Sequence, residues 1–374
     1  MTLTNERHIL LAIDSLTGRG AERVNVSLAE ALINLGHKVS IIIYEKIVEF
    51  DIDPRITIYH LNPSVNKGLR ILSRLTDYNN VYLFKQLLNR IEIKDGYIDL
   101  ILSALPRMDR IVSLIKDKRI YHVIHAPLSL QNGIRKKNWH KKISRIWHMK
   151  RIYDGRQIIA VSNGVGIDLK EFVKVRPISL QTIYNPFHLD QIKSLAAKSI
   201  KFPSRLTHKN YLLHIGALTL KTKRQDLLIK AFAESGLQCN LVLLGKGEDE
   251  KKIQALIKKY GVSDRVILAG FQNNPYPWIK HARILILCSD YEGFGNVLVE
   301  SLAIGTPALS TNCFSGPSEI FMDSMKECLV PINDAEALAK KMKSFYLKPP
   351  KIVKLVLKRF EAKTVAKEYL KLIP

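Results

Sequence analysis

Two consecutive doubly wound α/β domains, each on a parallel sheet, are the fold class this sequence predicts, and three observations carry the prediction. The chain has 374 residues, 47% hydrophobic and 25% charged, which is too long for one ordinary core and apolar enough for two domains of about 150 to 200 residues. Short apolar runs alternate with stretches of helical periodicity, the pattern of βαβ units. That pattern starts twice, near residue 8 and again near residue 211.

The first strand is expected within His8–Leu16, HILLAIDSL, followed by the turn Thr17-Gly-Arg-Gly20 and a helix over 21–36. Gly36 stops that helix, and the β-branched run His37–Tyr44 closes a βαβ unit. Strands at Tyr97–Leu102, Tyr121–His125 and Gln157–Val161 complete one Rossmann-type domain, assigned to 1–187. The polar stretch 188–206 lacks strong periodicity and reads as a linker. The second domain, 207–350, opens with strand Tyr211–Gly216, helix Gln225–Ala233 and strand Cys239–Gly245, then continues with strands Arg265–Ala269 and Ile284–Cys288. Residues 351–374 are expected to be a basic helical segment, broken near Phe360, that packs back on the first domain. Such sheets bind ligands outside the carboxyl ends of their strands, so two in tandem should face a central cleft that holds the function.

Composition narrows the classes further. Cys239, Cys288, Cys313 and Cys328 form no CxxC pair and no Cys/His metal spacing, which fits a reducing compartment and argues against a disulfide framework. No run approaches the roughly 18 to 20 apolar residues of a membrane span, and the polar start Met1–His8 does not read as a signal peptide. A cytoplasmic chain is expected. The balance of 58 Lys and Arg against 34 Asp and Glu, a net charge of +24, calls for polyanions or anionic interfaces as partners.

Chemistry concentrates in Ser289-Asp-Tyr-Glu-Gly-Phe-Gly-Asn-Val-Leu-Val-Glu300, where two glutamates eight positions apart flank a glycine turn after a strand. The start of the following helix offers the backbone N–H groups of Gly295, Asn296 and Val297 to an anion. Glu292 falls in the turn and Glu300 about two turns into the helix. Carboxylates so placed accept pairs of hydroxyl hydrogen bonds.

This segment resembles the paired-glutamate signature of retaining glycosyltransferase family 4, whose fold is GT-B. The resemblance runs in order along most of the chain through Arg19-Gly-Ala-Glu-Arg23, Ala160–Val165, Ile183–Pro186, Leu243–Glu248 and Val266–Phe271. Thr311-Asn-Cys-Phe-Ser-Gly-Pro-Ser-Glu-Ile320 is similar to a segment of bacterial lipopolysaccharide and glycan-assembly hexosyltransferases within that family. It implies that Glu300 binds the ribose hydroxyls of a nucleotide and Glu292 those of the donor sugar. Lys223 matches the family lysine at the diphosphate, with Arg224 beside it; Ala217 stands where the family usually has arginine, leaving Arg224 or Lys221 to replace that contact. Gly20 matches the loop glycine that lets the backbone approach the donor phosphate, Gly245 lies in the nucleotide-side loop, and His125 matches the histidine near the donor sugar. Gly18-Arg-Gly-Ala-Glu-Arg23 does not complete a G-x-G-x-x-G dinucleotide fingerprint.

A second signal lies on the surface. Between Arg135 and Arg151 the sequence carries eight Lys or Arg and no acid, with Arg135, Lys136, Lys137, Lys141, Lys142 and Arg145 around Trp139 and Trp147 at helical spacing. Cationic charge with interfacial aromatics fits an anionic lipid surface, and Asn66–Leu75 is a second candidate. No helix-turn-helix, zinc finger or RNA-binding aromatic pattern supports nucleic acid. The combined expectation is a retaining hexosyltransferase using no metal and no cofactor beyond its nucleotide-sugar substrate, with a UDP sugar favoured. It would act on a lipid-linked or lipopolysaccharide glycan while attached to the inner face of the cytoplasmic membrane. The alternatives are an epimerase or phosphorylase on the same fold, or a non-catalytic polyanion-binding protein.

Overall fold

A computed structural model describes residues 6–17, 20–49, 51–61, 73–135 and 139–373; the side chains of 73–76 and 139 lie outside the description. The chain divides into unit 1, Met1–Pro186 with Ala362–Pro374, and unit 2, Phe187–Glu361.

Unit 1 begins with β1 (His8–Ile13), every residue of which is buried, as a central strand covered on both faces requires. Helix α1 (Gly20–Asn34) follows, its inward residues recurring as Val24, Leu28, Leu32. It ends at Gly36, whose φ of +86° closes a Schellman turn: Gly36 N donates to Ile33 O at 2.9 Å and His37 N to Leu32 O at 3.1 Å. Next come β2 (Lys38–Ile43), β3 (Thr57–His60), α2 (Ser73–Asp95), β4 (Leu100–Ala104), α3 (Pro106–Val112), β5 (Ile120–Ile124) and α4 (Leu128–Gln131). Then α5 (Trp139–Tyr153), β6 (Gln157–Ala160), α6 (Asn163–Ile167), a π-helical turn at Asp168–Val173, and β7 (Ser179–Thr182) complete the sheet. Among the described residues its seven strands run in the order β3-β2-β1-β4-β5-β6-β7, with parallel pairing throughout.

Unit 2 starts with α7 (Leu189–Ala196). It lies inside the segment expected as a linker, yet its Ile192 and Ala196 are buried, and Phe202 stacks edge-on against Trp278 at 5.0 Å. The segment 188–206 is thus a packed part of unit 2; its apolar stripe is too short to register as periodicity. The sheet strands are β8 (Tyr211–Ile215), β9 (Asn240–Leu244), β10 (Val266–Gly270), β11 (Ile284–Leu287), β12 (Ala308–Thr311) and β13 (Leu329–Val330). They alternate with α8 (Leu220–Lys223), α9 (Gln225–Ser235), α10 (Glu250–Lys259), α11 (Tyr276–His281), α12 (Asn296–Ile304), α13 (Pro317–Phe321) and α14 (Ala335–Leu347). The order is β10-β9-β8-β11-β12-β13.

The terminal segment is split between the units. Residues Lys354–Phe360 form a 3-10 helix in unit 2, where Phe360 is buried 5.2 Å from Phe294. Beyond Glu361, α15 (Ala362–Leu370) belongs to unit 1 and packs on α1.

Candidate functional site

In an open parallel sheet the ligand crevice lies where the strand order reverses direction, because the loops leaving two neighbouring strands there diverge to opposite faces. In unit 2 that point is between β8 and β11. Their ladder pairs only Ile284 with Leu212 and Leu285 with Leu213, and the two chains leaving it carry the sequence-predicted residues.

From β8 the chain turns through Gly216–Thr219 into α8, whose last residue is Lys223. From β11 it runs through Ser289–Phe294 into α12. The two meet at Glu292, whose Oε1 accepts from Lys223 Nζ at 2.5 Å and from Ser289 Oγ at 2.5 Å. The Cys-x-Ser-Gly-Pro segment explains how the turn is held. Thr311 Oγ1 donates to Ser289 O at 2.8 Å, Ser315 Oγ to Gly293 O at 2.9 Å, and Glu292 N to Phe314 O at 3.4 Å. A β-carbon on Gly316 would sit 2.0 Å from Phe294 O, so only glycine lets this strap lie against the turn.

Gly295 caps α12 with φ of +96°, and Asn296 and Val297 open that helix. Glu300 is 7% exposed, not a solvated helix residue, and accepts from Tyr276 Oη of α11 at 3.3 Å. Tyr276 gave no signal in the sequence because only the α11–α12 packing brings it there.

Two expected residues have structural partners within unit 2. Arg224, in the left-handed region at φ +50°, donates to Asp226 at 3.1 Å, to Asp290 at 2.6 Å and to Asn333. Its guanidinium ties the turn to α9 and to the Glu292 loop, and those carboxylates push its pKa upward. Gly245, with φ of +144°, packs against the neighbouring turn: a β-carbon there would lie 1.9 Å from Gly216 O. Its glycine is required by loop-on-loop packing. Lys223 is thus the sequence-predicted cation placed beside Glu292, and Lys221 is exposed.

In unit 1 the reversal lies between β1 and β4. Gly20 begins α1 and is exposed, while Gly18 and Arg19 lie outside the described residues. The glutamate of the Gly-Ala-Glu-Arg run has a structural role: buried Glu22 accepts from Ser15 Oγ at 2.6 Å and from Thr17 N at 2.8 Å, which ties the end of the β1 segment to the first turn of α1. His125 follows β5, and burial holds its imidazole neutral, its pKa lowered to about 4. Asn25 of α1, 2% exposed, places Nδ2 3.4 Å from His125 Nε2 and donates to Ala21 O at 2.9 Å. Sequence reading missed Asn25, which has a core position on an otherwise apolar helix face.

The basic segment divides in the same way. Lys136 and Lys137 lie outside the described residues, as does most of Asn66–Leu75, and Trp139 is described by its backbone alone. Arg135 is folded inward: it donates to Ser129 Oγ at 2.7 Å and to fully buried Asp168 at 2.8 Å. Arg145 is half-buried, its Nη1 3.2 Å from Gly133 O. Lys141 and Lys142 are exposed on a helix that also exposes Ile143 (57%) and Trp147 (61%). Its last residue, Tyr153, anchors α5 to the core by donating at 2.9 Å to buried Asp109, which also accepts from Ser103 Oγ at 2.6 Å and lies 2.9 Å from His122 Nδ1. Among the described residues no cluster of three His, Cys, Asp or Glu could hold a metal ion, no helix is long and apolar enough to cross a membrane, and all four cysteines are buried and free.

Comparison with known proteins matches these two units to two family models. Residues 18–191 match Glycosyltransferase Family 4, and residues 197–358 match Glycosyl transferases group 1. The chain is 27% identical over 357 residues, 96% of its length and 94% of the relative's, to the Campylobacter jejuni N-acetylgalactosamine-N,N'-diacetylbacillosaminyl-diphospho-undecaprenol 4-alpha-N-acetylgalactosaminyltransferase. It is 31% identical over 170 residues to the Salmonella typhimurium lipopolysaccharide 1,6-galactosyltransferase, covering 43% of this chain and 44% of that one. Anabaena HepE, solved in complex with UDP, shares the fold with a TM-score of 0.70 at 17% identity, over 97% of this chain and 98% of its own. With Glu292 and Lys223 joined at the strand-order reversal of its second parallel-sheet unit, and with both units matched by glycosyltransferase models, the chain carries a Glycosyltransferase Family 4 domain followed by a Glycosyl transferases group 1 domain and is a glycosyltransferase of the GT-B fold.

Proposed function

We propose that this chain is a retaining, metal-independent transferase that moves a hexose or N-acetylhexosamine from a UDP sugar to a lipid-linked or lipopolysaccharide-type acceptor in bacterial glycan synthesis. The observation that carries the reading is the Lys223–Glu292–Ser289 cluster at the carboxyl ends of β8 and β11, beside the opening of α12. UDP in the Anabaena neighbour, and an undecaprenyl diphosphate glycan and lipopolysaccharide in the relatives' names, support the donor and acceptor classes.

In this reading Glu300 accepts the ribose hydroxyls, and Glu292, which takes the Lys223 and Ser289 hydrogen bonds on Oε1, turns Oε2 to the sugar. The acceptor hydroxyl oxygen bonds to the anomeric carbon as the bond from that carbon to the donor phosphate oxygen breaks. The acceptor proton passes to that phosphate oxygen on the same face. Negative charge grows on the leaving diphosphate, and Lys223 with the α12 start is built to offset it. His125, neutral at pH 7, serves the donor sugar by hydrogen bonding and not as a cation. The exposed Lys141, Lys142, Ile143 and Trp147 of α5 place the enzyme on anionic lipid at the cytoplasmic face, each cation near such a surface contributing about 1 kcal/mol.

The test is cleavage of a nucleotide-sugar panel by the wild type, Glu292→Ala, Glu300→Ala and Lys223→Ala. Cleavage of one UDP sugar, reduced by about 10- to 150-fold in each variant for the loss of a charge-assisted bond, supports the reading. No binding of any nucleotide sugar sinks it.

A further inference from the structure

The turn that carries Lys223 rests on two fully buried polar side chains, His214 and Gln225, that the chemistry above does not use. His214 is the fourth residue of β8, just beyond the last pair of the β8–β11 ladder, and its Nδ1 lies 3.0 Å from Ile286 O. A carbonyl only accepts, so Nδ1 carries the proton and Nε2 is an acceptor. Gln225, the first residue of α9, supplies the donor: its Nε2 lies 3.3 Å from His214 Nε2 and 2.9 Å from Ala217 O. The amide orientation follows, because reversed it would turn Oε1 toward two acceptors.

These bonds run from β11 through β8 and α9 to the turn, as Ile286 O, His214, Gln225 and Ala217 O. Lys223 lies against them. A β-carbon built on Gly216 would be 3.5 Å from Lys223 Cδ and 3.6 Å from His214 Nε2, ordinary contact distances that put the lysine stem and the ring on the same side of Gly216. Gln225 Oε1 has no hydrogen-bond partner among the described residues. An unsatisfied buried acceptor is a costly way to fill a core, and an apolar side chain of that volume would fill it without that cost. The retained amide has work at its other end.

We propose that His214 and Gln225 are positioning residues: they set the Ala217–Lys223 turn and thereby hold the Lys223 ammonium at Glu292. The role assigned to Lys223 rests on the function proposed above; the geometry of the frame does not. Its logic demands a neutral ring. The charged groups facing His214 are Lys223 and Glu292, and burial holds the imidazole at a pKa of about 4. An imidazolium would turn a second N–H onto the Gln225 amide and stand beside the Lys223 ammonium.

Two measurements decide it. Long-range ¹H–¹⁵N correlation on histidine-labelled protein, with His214 identified by its loss in His214→Gln, reads the tautomer without substrate. The expected result is a proton on Nδ1, a bare Nε2, no titration from about pH 8 to about pH 5.5, and an Nε2 resonance that moves in Lys223→Met. A proton on Nε2, a midpoint near the ordinary histidine value, or indifference to Lys223→Met overturns the frame. Gln225→Met keeps the volume and removes the amide, and nucleotide-sugar cleavage should lose about tenfold in kcat with KM changed by less than about threefold; wild-type kcat would refute positioning. If Gln225→Met does not fold, Gln225→Glu replaces it, and its carboxylate should bring His214 into the titratable range. Should the wild type cleave no nucleotide sugar, the proposed function fails, and the tautomer and Lys223→Met arms still decide the frame.

Discussion

Gly245→Ala tests how the nucleotide-side loops are built, with Gly236→Ala as its control in the same unit. Both glycines have positive φ, +144° and +65°, but a β-carbon on Gly236 meets nothing within 4 Å, while on Gly245 it falls 1.9 Å from Gly216 O and 2.9 Å from Gly216 C. Gly236→Ala therefore costs only the left-handed penalty, about 1 to 2 kcal/mol. Gly245→Ala adds a collision between two backbones, so strain of about 1 to 3 kcal/mol combines with overpacking of about 1 to 3 kcal/mol, a total near 4. The structure can relieve it only by parting the 216–218 and 245–247 loops, which carries the Lys223 turn away from Glu292. Urea unfolding followed by amide exchange in β8 and β9 measures the cost, and nucleotide-sugar cleavage measures the displacement. Equal destabilisation by the two substitutions, or full cleavage in Gly245→Ala, would refute the loop-packing argument.

Acid should weaken both units. His214 and His125 have folded pKa values lowered to about 4 by burial, so between that value and the unfolded value near 6.5 the unfolded chain binds more protons and stability rises with pH. The contribution is complete above about pH 6.5, and acidification to pH 5 should remove about 2 kcal/mol per histidine; urea midpoints for wild type and His214→Phe at both pH values check this, the variant showing the smaller loss. Arg135→Ala strands Asp168 in the core and should destabilise unit 1 by about 3 kcal/mol without changing vesicle binding, whereas Lys141→Ala with Lys142→Ala should reduce sedimentation with anionic vesicles and leave the melting temperature unchanged; the reverse pattern would contradict the division of the basic segment. Asn25→Asp puts a carboxylate beside His125 Nε2 and should raise that histidine's midpoint by about one to three units, read by imidazole NMR; an unmoved midpoint would mean that Asn25 does not hold the ring.

Much of this was legible in the sequence because it depends on local periodicity. The central strands β1, β2, β5, β6, β8, β9 and β11 are apolar runs buried on both faces, and such runs announce themselves. The edge strands β3 and β7, with TIYH and SLQT, do not, because an edge is short and half polar. The glutamate pair, Lys223 and the glycine turn were readable as residue types at fixed spacing.

By itself the sequence determined the two parallel-sheet units, the order of their elements and the segments that carry the chemistry, since each is a matter of which residues lie within a few positions of one another. Tertiary structure alone decided which neighbours those residues keep. It set Lys223 on Glu292, spent Arg224 on Asp226 and Asp290, turned Arg135 inward to Asp168, and brought Tyr276, Asn25, His214 and Gln225 to their partners. Burial and hydrogen-bond partners are properties of chains brought together from distant positions. A cation on a surface and a cation under a buried carboxylate have the same letter in the sequence.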